Sequence, residues 1–164
     1  MTVQVGYNNL LEAAASTVTA SSEAAGFEVE NCYDWMTWDW WKVSAPETFP
    51  VVSVDLGSAL EVDYVAIYSH DLGTLGAEYR VQYSIDNFAA DINDAFTWVA
   101  PSDDRPIFKT FTSQTKRYWR VMIRNAGGGG TLQPLVGVLS IGMALDVGKG
   151  AQINFTPPLL YSSW

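Results

Sequence analysis

Apolar side chains recur at every second position in one short run after another, and nowhere at helical spacing for a useful length. Val52, Val54 and Leu56 alternate after Pro50, and Gly57 closes that run. From Val62 to Ser69, Val65 and Ile67 fall on one side with Tyr64, Ala66 and Tyr68 on the other, so both sides are apolar, as in a strand inside a sandwich. Tyr79, Val81 and Tyr83 share a face, Phe96 to Val99 and Ile107 to Phe111 make two shorter runs, and Trp119, Val121 and Ile123 turn inward together. Leu135, Leu139, Ile141, Met143, Leu145 and Val147 line one side of a last run. Turn residues separate these runs: Ser69 to Ala77, Asp86 with Asn87, Pro101 to Arg105, and the four glycines 127–130. Evenly spaced short strands of this kind predict an all-β chain folded as an antiparallel β-sandwich.

The 164 residues suit one domain with a genuine core. We expect the sandwich over residues 1–147, with 1–15 leading in as a short strand and a turn of helix, and an arm over 148–164. The arm carries Ile153, Phe155, Leu159, Leu160, Tyr161 and Trp164, but Pro157 and Pro158 keep it out of a sheet. Such an apolar segment either packs back on its own sandwich or docks on a neighbouring subunit.

Between Tyr33 and Trp41 stand five large aromatic residues: Tyr33, Trp35, Trp38, Trp40 and Trp41. Extended backbone from Met36 would put Met36, Trp38 and Trp40 on one side and Trp35, Thr37, Asp39 and Trp41 on the other. Rings of this size fill a core or meet a ligand. A sugar site needs an aromatic platform and a few fixed polar groups, and the candidates are Trp35, Trp40 and Trp41 with Asp39, His70, Asp71 and Arg80.

Enzymatic chemistry finds little support. His70 stands alone beside Asp71 without a nucleophile elbow, Cys32 is the only cysteine, and paired acids such as Asp103 and Asp104 fit a solvated turn. No catalytic role is expected. A net charge of −9 repels phosphate backbones, which excludes nucleic acid as a natural partner. No stretch approaches the roughly 18 apolar residues of a membrane span, and the N-terminus lacks a basic segment followed by a long apolar run. Membrane insertion is not expected.

The order of motifs resembles the discoidin family, also called the coagulation factor 5/8 C-type or galactose-binding-like jelly roll. The counterparts are Ala20-Ser21-Ser22, Asn31 with Asp34, Thr37 and Trp38, then Asp55-Leu56-Gly57, Tyr79-x-Val81-x-Tyr83-Ser84, and Arg117-Tyr118 with Arg120. The resemblance implies a core position for Trp38 and an edge pairing for Arg120. Family members often hold a structural calcium; here Asp34 and Thr37 are the only counterparts, too few for a cation that wants six or more oxygens, and no cofactor or metal is expected. The segments 8–31, 67–77 and 140–147, with the following arm, further resemble versions of this fold in tail and baseplate proteins of tailed bacteriophages. That resemblance implies a non-catalytic structural component of a bacteriophage virion, made in the host cytoplasm. It would assemble with other virion subunits as a homo-oligomer or hetero-assembly, and would contact a host-surface glycan as well. The alternative is a stand-alone carbohydrate-binding module or an accessory binding domain of a polysaccharide-degrading enzyme.

Overall fold

The computed structural model describes residues 4–6 and 8–146. The arm residues Ile153, Phe155, Leu159, Leu160, Tyr161 and Trp164 lie outside the described residues. Nine strands occur among those described: β1 (Gln4–Gly6), β2 (Thr17–Ala20), β3 (Trp41–Lys42), β4 (Val51–His70), β5 (Ala77–Ser84), β6 (Asn93–Val99), β7 (Ile107–Asn125), β8 (Leu135–Gly142) and β9 (Ala144–Asp146). All their pairings are antiparallel. Among the described residues, helical structure is confined to 3₁₀ turns at Leu10–Glu12, Val29–Cys32 and Ala126–Gly128. The chain is an antiparallel β-sandwich of jelly-roll type, as its alternation predicts.

Two long strands build both layers. The first half of β4 pairs with β2 and with the second half of β7, which continues into β5 and β6. The second half of β4 pairs with β8 and with the first half of β7, and β3 completes that layer at the edge. Register shifts between Asp55 and Leu60 and between Val62 and Tyr64 let β4 bend from one layer to the other. They also switch which side chains point inward: Val52, Val54, Leu56 and Val62 are buried in the core, and beyond the second shift Val65 and Ile67 take over. Gly57 therefore does not end a strand. Its φ of 74° places it at the first irregularity, where a left-handed backbone suits glycine.

Val52, Val54, Val81, Trp119, Val121, Ile123, Leu139 and Ile141 fill the space between the layers. Trp41 belongs to this core, with no exposed surface, and its indole N–H donates to the Ser22 carbonyl at 3.1 Å. Seven strands make one continuous sheet, and the N-terminal segment packs along β8 with Leu10 and Leu11 in the core. Buried Asn9 holds that segment down, donating to the Leu139 carbonyl at 3.3 Å and accepting from Leu11 N–H at 3.2 Å and Ile141 N–H at 3.4 Å. The approach is close enough that a Cβ on Gly142 would collide with the Asn8 carbonyl.

The extended segment expected from Met36 to Trp41 is absent; only Trp41 and Lys42 are strand. Asp34 turns the chain by accepting Met36 N–H at 2.9 Å, and Trp35 sits in left-handed backbone at φ 66°. Side-chain capture of a neighbouring amide competes with strand formation in this way. Trp38, given a core position by the family resemblance, is 69% exposed.

Candidate functional site

The loop 33–40 folds back over the outside of the layer that contains β8. Ser69, at the end of β4 and itself in left-handed backbone at φ 52°, accepts the Trp40 indole N–H at 3.1 Å and donates to the Thr37 carbonyl at 3.0 Å. This clasp ties the aromatic loop to the sheet beside Tyr68. Between loop and sheet runs an open groove of about 230 Å³, solvent-open space included, lined by Gly6, Trp35, Tyr64, Ala66, Tyr68, Phe108 and Ser140. Its floor follows from strand alternation: Tyr64, Ala66 and Tyr68 lie opposite the core-facing Val65 and Ile67. β7 brings Phe108 alongside Ala66, and β8 brings Ser140 to its other flank.

The rings are arranged rather than scattered. Tyr64 and Phe108 stack with centroids 5.3 Å apart and planes 18° from parallel. Tyr64 is buried beneath Gly6 and Asn8, and its hydroxyl donates to the Asn8 carbonyl at 3.0 Å and meets the Ser140 hydroxyl at 2.7 Å. With the phenol proton given to Asn8, Ser140 is the donor of that second bond. Burial pushes the Tyr64 phenol above its ordinary pKa; Ser140 opposes the shift, and Tyr68, Asp63 and Glu12 add to it. The Tyr68 hydroxyl, on the same face, makes no hydrogen bond to the described residues. Trp35 stands at the side with 52% of its surface exposed, and Phe108 with 37%. A left-handed tryptophan costs about 1–2 kcal/mol relative to ordinary backbone, and here that conformation presents an indole to the groove.

The candidates named from sequence are dispersed. Trp35 lines the groove. Trp40 is half-buried, with its N–H engaged by Ser69. Trp41 is core, because only the far side of the loop reaches the sandwich interior, and it offers no platform. Asp39 is half-buried, with Oδ1 shielded and without a hydrogen-bond donor among the described residues. His70 is buried: its Nε2 meets the Arg105 carbonyl at 3.0 Å and its Nδ1 accepts Leu72 N–H at 3.3 Å, so one ring nitrogen holds the turn at Arg105 and the other the loop 71–76. Asp71 accepts Leu135 N–H at 2.9 Å and is raised above its ordinary pKa by burial. Arg80 belongs to the outward face of the other layer, where its guanidinium lies 4.5 Å from the Trp98 ring and 3.4 Å from Asp94. Reasoning from sequence missed Tyr64, Tyr68, Phe108 and Ser140. The alternation of Tyr64, Ala66 and Tyr68 marked a second apolar side of β4, without indicating that part of it stays open.

Among the described residues, no three His, Cys, Asp or Glu side chains converge as a metal site. Cys32 is fully buried, and burial drives its thiol far above the range in which a thiolate forms. Asp34 and Thr37, the two calcium counterparts, belong to the loop, where Asp34 caps Met36. A second gap of about 210 Å³ lies against Leu11, Val54, Val81 and Trp119 and is a feature of core packing. No described helix is long and apolar enough to cross a membrane.

No family model and no curated protein matches the chain. Solved structures do. A chitosan-binding module from a chitosanase/glucanase of Paenibacillus sp. IK-5 is 23% identical over 84% of this chain and 100% of its own, with a TM-score of 0.64. The module CpGH89CBM32-6 produced by Clostridium perfringens is 14% identical over 82% of this chain and 98% of its own, also at 0.64. A Ruminococcus gnavus GH29 fucosidase is matched over 84% of this chain but 27% of its own, at 17% identity and a TM-score of 0.61. These likenesses establish the fold: a discoidin-like jelly roll, similar in structure to carbohydrate-binding modules of glycoside hydrolases. They also correct the expectation of a bacteriophage tail or baseplate component, because the similar structures are modules and enzymes that act on carbohydrate. The expected virion subunits as partners and the expected virion location fall with it.

Proposed function

We propose that the chain is a non-catalytic carbohydrate-binding module that holds a saccharide in the groove between the loop 33–40 and the β4–β8 face. One observation carries the reading: Trp35, Tyr68 and Phe108 face one open groove backed by the buried Tyr64, and the Tyr68 hydroxyl has no hydrogen-bond partner among the described residues. Sugars offer C–H faces that lie on aromatic rings and hydroxyls that seek fixed polar partners, and the groove supplies both. The shared fold with a chitosan-binding module supports the reading. So does the rigid backing of the groove, since a site built on strands and a clasped loop loses little entropy on binding. The test is calorimetric titration with a panel of oligosaccharides alongside quenching of tryptophan fluorescence. A saturable one-to-one complex with at least one glycan is expected. Absence of binding across neutral, amino and acidic sugars contradicts the proposal.

A further inference from the structure

Among the described residues no charged side chain lines the groove, and the charges near it are carboxylates. Asp34 immediately precedes Trp35 in the loop that walls the groove, Asp63 immediately precedes Tyr64 on β4 and accepts Ala144 N–H at 2.7 Å, and Asp63 and the exposed Glu12 both raise the Tyr64 phenol. Asp39, in the same loop, has a shielded carboxylate oxygen without a donor. Every described Lys and Arg is turned elsewhere. Lys109, the neighbour of Phe108 in sequence, points to the other side of β7 and lies 4.9 Å from the Phe96 ring. Lys42 lies over Phe27, Lys116 over Tyr83, and Arg105 pairs with Asp103. The remaining arginines, Arg80, Arg117, Arg120 and Arg124, stack on or pair with groups of the other layer or its rim. The chain as a whole carries a net charge of −9, which draws cations and repels anions over distances of about a Debye length.

Building on the carbohydrate-binding reading, we propose that this groove selects saccharides bearing free, protonated amino groups over their N-acetylated and acidic counterparts. The ammonium is attracted to the electron-rich faces of the exposed Trp35 and Phe108 rings, and Asp34, Glu12 and Asp63 supply the opposing charge. An acetyl group removes that charge. A uronate meets carboxylates with no guanidinium to receive it.

The test titrates the full chain with β-1,4-linked glucosamine, N-acetylglucosamine and galacturonic acid oligomers of equal length, at low and high salt. The glucosamine oligomer is expected to bind about tenfold more tightly than the N-acetylated one at low salt, and the uronate oligomer not at all. High salt should erase most of that preference. The double variant Glu12→Gln with Asp34→Asn should do the same at low salt; Glu12 is exposed, and asparagine still accepts Met36 N–H, so folding is preserved. Equal or tighter binding of the N-acetylated oligomer, or a preference indifferent to salt and to both substitutions, overturns this inference and leaves the carbohydrate-binding reading standing. Failure of all three oligomers together with other sugars overturns both.

Discussion

The two outward faces of the sandwich are both aromatic, yet one is closed and the other open. On the β5–β7 face, Arg80 and Arg124 lie 4.5 Å and 4.1 Å from the Trp98 ring, and Phe49 stacks on it at 6.4 Å. Arg124 is bound in turn to Glu78 at 2.7 Å, and Arg120 donates to Gln82 while stacking on Phe88 at 4.1 Å. Trp98 is thus committed to its own sheet, and cations occupy its π face. On the β4–β8 face the rings of Trp35 and Phe108 have no cation over them among the described residues, and the Tyr68 hydroxyl has no described partner. An aromatic cluster becomes a binding site through what it leaves unsatisfied, not through the number of its rings.

That contrast can be broken by substitution. Trp41→Ala, in the core, should cost the most, about 3–5 kcal/mol of stability for a buried tryptophan, read from chemical denaturation. Trp98→Ala should cost less, about 2 kcal/mol, through lost ring packing and the cation contacts of Arg80 and Arg124. Trp35→Ala should leave stability within about 0.5 kcal/mol, as for exposed side chains generally, or raise it slightly if the left-handed backbone at position 35 suits alanine no worse. A large loss of stability at Trp35 would mean that the two faces are alike and that the groove is structural.

The smallest expected effect is electrostatic and sits at the rim of the closed face. Arg117 forms a bidentate pair with Asp55, at 2.6 and 2.8 Å, and that hydrogen-bonded arginine holds the Asp55 carboxyl below its ordinary range. A depressed folded-state pKa contributes stability above the unfolded value of about 3.9, lost as pH falls through the folded value. Asp55→Asn should therefore melt slightly below the native chain at pH 7 and converge with it as pH falls below the depressed folded-state value. The pair is solvent-screened, so the difference is small.

Much of the architecture was legible because burial on a pleated strand forces a period of two. Trp119, Val121 and Ile123 are all within 5% of full burial, as their spacing predicts. Ser21 and Ser22, quoted for the family resemblance, both donate to the Glu47 carboxylate, and Ser22 also gives its carbonyl to Trp41. The tryptophan-rich stretch misled for a local reason. A single Asp34 side chain captures the Met36 amide and breaks the alternation, which throws Trp38 outward and Trp41 inward. Tyr64 and Phe108 could not be singled out from sequence, because their meeting depends on β4 and β7 pairing over a bulge more than forty residues apart in the chain.

Titrating Trp35→Ala and Trp98→Ala side by side with one bound oligosaccharide, at a temperature where both are folded, separates the open face from the closed one. Stacking on an exposed ring is worth about 1 kcal/mol or more, so Trp35→Ala should lose affinity by at least about fivefold and Trp98→Ala should lose none. Equal affinities for Trp35→Ala and the native chain, or a loss confined to Trp98→Ala, would contradict that separation.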